Sequence, residues 1–89
     1  MQLNISKSYL RDLRGINHTV QLQANDTLEK LKQAHAFSEI QHLEPIIGHP
    51  GYYRIRIGQY RIGLRWDGEK FFAERIGPRG NIYKVYPPK

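Results

Sequence analysis

The segment YRIRIGQYRIGLRW, residues 53–66, sets Arg54, Arg56, Arg61 and Arg65 at alternating positions in an apolar background. A guanidinium group offers several N–H donors in a planar fork and stays charged near neutrality. It therefore suits gripping phosphate and stabilising negative charge that builds up on phosphate oxygens. Strict alternation is the period of a half-buried strand, so the arginines fall on one face of a sheet and the aliphatic residues on the other.

Charge is segregated along the chain. Residues 52–89 carry nine of the fourteen Lys and Arg residues and three of the eight acids, whereas residues 1–51 hold five of each, so the net charge of +6 sits in the C-terminal half. Basic charge gathered on one face, with aromatic residues among the arginines, points to a polyanionic partner, and nucleic acid is the commonest of these. The chain has no cysteine. That excludes a disulfide framework and a thiolate metal site and makes the cytoplasm the expected compartment. His35, His42 and His49 recur every seven residues, but this spacing matches no ligand pattern and Pro45 interrupts any helix that could present all three. No metal and no cofactor is expected. Signal and membrane-spanning patterns are lacking, so no membrane association is expected either.

Two turns set the register of the basic segment. Gly58-Gln59, between Ile57 and Tyr60, fits a two-residue hairpin loop with Gly first, and Asp67-Gly68, between Trp66 and Glu69, fits the other tight hairpin class. The first places Arg56 opposite Arg61, Arg54 opposite Gly63 and Ile55 opposite Ile62. The second places Leu64 opposite Phe71, Gly63 opposite Phe72 and Arg61 opposite Glu74. One face then holds Tyr53, Ile55, Ile57, Tyr60, Ile62, Leu64, Trp66, Phe71 and Ala73, and forms the core. The other holds Arg54, Arg56, Arg61, Arg65, Gly63, Phe72 and Glu74. Directly opposed arginines cost a few tenths of a kcal/mol in a sheet, and a strand-interior glycine often marks close approach of a ligand or another backbone. Each feature alone fits a solvated sheet face. Together they predict a phosphate-binding concavity.

The remaining elements must support this face. Residues 2–5 form a first strand, and Ser6 caps a helix that runs to about Arg14 and stops at Gly15. Asn17 caps a second helix whose apolar stripe is Val20, Ala24, Thr27, Leu28, Leu31 and Ala34. The two make a helical hairpin laid on one side of the sheet. Residues 36–51 read as a packed connection anchored by Phe37, Ile40, Leu43 and Ile46, with Pro45, Gly48, Pro50 and Gly51 as punctuation. Gly77, Pro78 and Gly80 place Arg79 on a tight turn before a last strand containing Tyr83. With 89 residues and no repeat or linker, the expectation is a single α+β domain over residues 1–89, a small antiparallel sheet packed on an N-terminal two-helix hairpin.

At these residues the chain resembles the RelE/ParE superfamily of toxins of type II toxin-antitoxin systems, and specifically its RelE-like messenger-RNA endonuclease branch. The similarity covers essentially the whole chain, from the strand and helical hairpin through the YRIRIGQYRI block to the closing GPRGNIYK segment. It implies a sheet of four or five strands backed by two helices, a cleft that holds messenger RNA in the ribosomal A site, and a cognate antitoxin. Operator DNA would be engaged only through the antitoxin complex. Carried over by motif, Arg54 and Arg56 match the family's two basic residues on the second main strand. Arg61 matches its glycine-x-tyrosine-arginine segment, Arg79 the arginine after the third main strand, and Tyr83 the tyrosine of the last strand. Departures are visible: arginine stands at 54 and 56 where some relatives have lysine, Pro78 stands where many have histidine, and the chain ends at Lys89, short of a C-terminal helix found in some members.

The resemblance implies metal-independent cleavage by attack of a ribose 2'-hydroxyl, a group present in RNA and not in DNA. Arg61 and Arg79 suit stabilisation of the developing charge, with Arg54 and Arg56 sharing that role and holding the strand beside Arg65 and Phe72. Tyr83, a phenol expected among cations, ranks first as proton acceptor, Glu74 second and His49 third. The alternatives are a ParE-like gyrase inhibitor on the same sheet and a non-catalytic, autoregulatory RNA-binding domain.

Overall fold

Ser6 ends the first strand and begins the first helix. In the computed structural model, which describes residues 1–88, β1 (Gln2–Ile5) gives way to α1 (Lys7–Arg14), and the Ser6 hydroxyl accepts the Tyr9 N–H at 3.2 Å. Gly15 closes α1, its N–H donating to Asp12 C=O at 3.1 Å. Asn17 Oδ1 then accepts the Val20 N–H at 3.0 Å and starts α2 (His18–Gln33). Both caps satisfy amide groups that a helix start leaves unpaired. A single 3-10 turn, Phe37–Glu39, leads to the short strand β2 (Leu43–Pro45), followed by β3 (Tyr52–Ile57), β4 (Tyr60–Trp66), β5 (Lys70–Pro78) and the four-residue helix α3 (Arg79–Ile82). Among the described residues, no helix is long and apolar enough to cross a membrane.

The sheet order is β1-β5-β4-β3-β2. Four strands pair antiparallel as expected, while β1 lies parallel to β5, the orientation a helical crossover permits. The anchored connection supplies β2 as an edge strand, with Glu44 opposite Arg54. Buried Ala24, Leu28 and Leu31 of α2 meet Ile55, Ile62, Leu64, Phe71, Ala73 and Ile76 of the sheet, with Tyr9 from α1. Phe37 closes one end of this core, edge-on to Trp66 at 5.1 Å and to Tyr53 at 5.5 Å.

The first hairpin has the expected register: Ile57 pairs with Tyr60, Arg56 with Arg61 and Arg54 with Gly63. Gly58 alone in the turn has positive φ, at 61°, the requirement at the first central position of a type II' turn. The second hairpin differs. Trp66 pairs with Phe71, Arg65 with Phe72 and Leu64 with Ala73, two residues along from the expected partners. Asp67 is the cause. Its N–H donates to Lys70 C=O at 3.1 Å, and its Oδ1 accepts the Glu69 and Lys70 N–H groups at 2.8 and 2.9 Å. Asp67 is thus a paired residue and Gly68-Glu69, with Gly68 at φ 101°, forms the reversal.

A bulge then shifts the ladder again, so that Gly63 faces Arg75 and Arg61 faces Gly77, with Glu74 as the inserted residue. The expected pairs Gly63–Phe72 and Arg61–Glu74 are therefore absent. Residues of α1 and its cap bond the outer edge of β5 around this bulge. Ser8 Oγ donates to Glu74 C=O at 2.7 Å, the Ser6 N–H donates to Ala73 C=O at 3.0 Å, and Asp12 accepts the Ile76 N–H at 3.1 Å. Asp12 also receives Arg75 Nε at 2.7 Å and Nη2 at 3.2 Å.

Tyr9 is an exception among the core contacts: its hydroxyl is buried without a hydrogen-bond partner, and burial pushes its pKa up to about 12. Leaving a polar group unpaired costs about 1–3 kcal/mol. Tyr9→Phe is expected to leave stability unchanged or raise it by about 1 kcal/mol, whereas Asp12→Ala, which orphans the Ile76 N–H, is expected to lower it by about 1–3 kcal/mol. Urea midpoints at constant slope measure both. The amides of Lys70, then Glu69, hold the Asp67 carboxyl below its ordinary pKa. Because that value is depressed in the fold, its contribution is complete above the ordinary carboxylate range and is lost as pH falls through the lowered value. An NMR titration of Asp67 should accordingly show a midpoint below that of an unfolded Asp; a midpoint at or above it contradicts the turn described.

Candidate functional site

The β3–β4 turn gathers the basic residues. Arg61, the first arginine after it, folds back so that Nη1 donates to Gly58 C=O at 2.8 Å and Tyr60 C=O at 2.9 Å. The remaining carbonyl of the turn, Gln59 C=O, accepts the Arg79 N–H at 2.8 Å and fixes the start of α3. Two arginines separated by eighteen positions are thereby held to one turn.

Arg54, Arg56, Arg61, Arg79 and Tyr83 line a single open concavity of about 450 Å³ with Glu44 and Gly80. Arg54 approaches Glu44 Oε2 at 3.6 Å, and its guanidinium carbon lies 5.6 Å from the centre of the Tyr83 ring. Arg56 Nη2 stands 3.4 Å from His42 Nδ1. Among the described residues Arg56, Arg61 and Arg79 have no carboxylate within ion-pairing distance. Arg54's pair with Glu44 is half-exposed and weak. Cations crowded in this way without matching acids favour an anion between them. Tyr83 is 43% exposed, so its hydroxyl can be reached from solvent.

Tyr83 does not lie on a strand. Pro78 ends β5, Arg79 to Ile82 form α3, and Tyr83 is the helical residue that closes it. The bond from the Arg79 N–H to Gln59 C=O is the last in the register of β4 and β5, and where β4 gives way to its turn the chain coils into α3. Ile82 is buried, and it turns Arg79 and Tyr83 outward to the concavity.

The other expected site residues lie elsewhere. Arg65 packs its guanidinium 4.1 Å above the Phe72 ring and pairs with Glu74 through Nε at 3.2 Å. Arg65 and Phe72 do not line the concavity. Arg65 stands four residues from Arg61, roughly 13 Å along an extended strand. Glu74 is free of Arg61, but one carboxylate oxygen takes Arg65 and the other takes the Tyr86 hydroxyl at 2.9 Å. His49 belongs to the β2–β3 loop and lines a separate concavity with Pro45 to Tyr53.

Gly63 explains this division. A Cβ placed there would meet Tyr86 Cδ2 at 2.5 Å and Cε2 at 2.6 Å. The strand-interior glycine does mark a close approach, but the chain's own tail is what approaches. Tyr86 is buried, and burial together with the Glu74 carboxylate holds its phenol well above the ordinary range. Glu44 and Tyr86 were the residues that pattern alone did not assign to this face. Leu43-Glu44-Pro45 was too short for its alternation to register, and the signal for Tyr86 was Gly63 itself.

The match to known proteins follows this geometry. The family described as "ParE toxin of type II toxin-antitoxin system, parDE" matches residues 3–83, and the chain belongs to that family, within the RelE/ParE superfamily. Toxin RelE3 of Methanocaldococcus jannaschii is 26% identical over 88 residues, spanning 98% of this chain and all of that one. The toxin in the RelB-RelE antitoxin-toxin complex from Methanococcus jannaschii superposes with a TM-score of 0.81 at 25% identity, over 94% of this chain and 99% of the other. Isolated E. coli RelE toxin shares the fold, with a TM-score of 0.66 at 22% identity over 93% and 90% of the two chains.

Four guanidinium groups around one concavity predict a steep salt dependence for binding to a single-stranded RNA oligomer. Each of Arg54→Ala, Arg56→Ala, Arg61→Ala and Arg79→Ala should reduce the slope of log K against log salt by about 0.7. His49→Ala should leave it unchanged, as measured by fluorescence anisotropy.

Proposed function

We propose that the chain is a toxin that cleaves messenger RNA on the ribosome without a metal ion. The observation that carries this reading is the meeting of Arg54, Arg56, Arg61, Arg79 and Tyr83 at one solvent-open concavity. Arg61 and Arg79, both tied to the β3–β4 turn and both lining the concavity, face the non-bridging oxygens of the scissile phosphate. Arg56 and Arg54 hold the flanking backbone. Tyr83, acting as its phenolate, takes the proton of the 2'-hydroxyl and becomes the neutral phenol, and the 2'-oxygen bonds to phosphorus. The bond from phosphorus to the 5'-oxygen breaks, and the departing oxygen takes a proton from water or a ribosomal group. The products are a 2',3'-cyclic phosphate and a 5'-hydroxyl.

The free toxin offers no paired acid and base, since Glu74 is occupied and His49 is outside the concavity. Cleavage of free RNA is therefore weak, and the ribosome supplies positioning. The toxin acts in the cytoplasm. Its partner is a cognate antitoxin, in keeping with the RelB-RelE complexes of its structural relatives. A partly disordered acidic chain covering the basic face matches the charge of the concavity, and operator DNA is reached only through that complex. Membership of the ParE toxin family supports a second reading, a toxin that inhibits gyrase as the ParE-like resemblance implies, and a supercoiling assay tests it directly.

On programmed ribosomes the purified chain should produce codon-phased 5' ends in the message. Arg61→Ala and Arg79→Ala should each slow cutting by about 10²–10³-fold, the range for loss of one charge-stabilising donor. Tyr83→Phe should slow it by about 10²–10⁴-fold, the range for loss of a general base. Absence of cuts at every toxin concentration would reject the nuclease reading, and full activity of Tyr83→Phe would reject the base.

A further inference from the structure

Arg79 and Tyr83 are carried by a helix of four residues, far below the length at which a helix holds itself together. Its position must be imposed from outside. The N-terminal end is tied by the Arg79 N–H to Gln59 C=O, and the middle by buried Ile82. The third restraint follows Tyr83. The Tyr86 N–H donates to Ile82 C=O at 2.8 Å, closing the turn that contains Tyr83. Its ring lies against the Gly63 backbone with no room for a Cβ, and meets Tyr52 edge-on at 5.7 Å between centroids. Its hydroxyl donates to Glu74 Oε1 at 2.9 Å, and Glu74 Oε2 is held by Arg65 at 3.2 Å.

This restraint is separate from the folding core. Tyr86 lies outside the cluster that packs α1 and α2 on the sheet, which includes Ile62 and Leu64, the neighbours of Gly63 on β4. It does not line the basic concavity either. Gly63 faces Arg54 across the β3–β4 ladder, so the seat of the Tyr86 ring lies directly beside an arginine of the concavity. We infer that Tyr86 is a positioning residue: its ring, seated on Gly63 and oriented by Glu74, fixes Tyr83 and Arg79 over the arginines of β3 and β4. This rests on the nuclease reading for its catalytic consequence but not for its structural one. It also gives Glu74 and Arg65 a role without contact with RNA, as the pair that orients the Tyr86 hydroxyl.

The test compares wild type, Tyr86→Phe, Tyr86→Ala, Gly63→Ala and the double Gly63→Ala/Tyr86→Ala on programmed ribosomes, with kcat and KM determined separately. Each variant is also made with fluorotyrosine, and the resonance of Tyr83 is followed by fluorine NMR, with Trp66 fluorescence reporting the core. Tyr86→Ala should keep the Trp66 signal and change KM by less than about threefold while kcat falls about 100-fold, the scale set by a misplacement near 1 Å. Gly63→Ala should reproduce this by displacing the ring, and the double variant should be no worse than either single one. Tyr86→Phe, which keeps the ring, should recover most of kcat. The Tyr83 resonance should shift or broaden in Tyr86→Ala and Gly63→Ala. Wild-type kcat in Tyr86→Ala, additive losses in the double variant, or an unchanged Tyr83 resonance would overturn the assignment. If wild type makes no cuts, the nuclease reading fails by itself and the fluorine spectra still decide the positioning role.

Discussion

The two-residue turn at Gly58-Gln59 is the constraint from which the basic face follows. It leaves one antiparallel register for β3 and β4, and that register sets Arg56 against Arg61, an arrangement that sheet stability alone disfavours. Its two backbone carbonyls and that of the adjoining Tyr60 are all used, those of Gly58 and Tyr60 by the Arg61 guanidinium and that of Gln59 by the Arg79 amide. A turn that usually only reverses the chain here fixes the charges that a phosphate would meet. Folding tolerates the repulsion because Ile55, Ile62 and Leu64 on the reverse face are fully buried, each such side chain contributing about 1.5–3 kcal/mol.

The sheet has a second irregularity with the opposite function. The bulge at Glu74 breaks the β4–β5 ladder, and Ser6, Ser8 and Asp12, at and after the cap of α1, bond β5 from its other edge. The displaced carboxylate of Glu74 then becomes available to Tyr86 and Arg65. One inserted residue thus couples the helical layer on one side to the C-terminal tail on the other. It also withdraws a carboxylate from the cations of the concavity, which would otherwise be partly neutralised.

How far the molecule could be read from its sequence depended on how local each determinant is. Both helix starts were legible because Ser6 and Asn17 cap within three residues. The β3–β4 register was legible because Gly58 permits one turn. The β4–β5 register was not, because Asp67 satisfies amides through its side chain and because the bulge is stabilised by serines more than sixty residues away. The segment after Pro78 looked extended because four residues are too few to display a helical period. Gly63 signals close packing, but a bare glycine cannot say whether a ligand or, as here, Tyr86 of the same chain approaches it. The convergence of Arg54, Arg56 and Arg61 came from alternation. Arg79 and Tyr83 join them through the fold of the segment after β5, which local pattern does not reveal and family resemblance does.

In the proposed mechanism the arginines and Tyr83 promote attack by a ribose hydroxyl within the message. The most direct measurement uses a ribosome programmed with a message carrying a single 2'-deoxynucleotide immediately 5' of the cut. The account predicts that toxin binding persists while cutting at that bond disappears, and that the all-ribose message yields a 2',3'-cyclic phosphate. Cutting of the deoxy-substituted bond at the rate of the all-ribose one would contradict it.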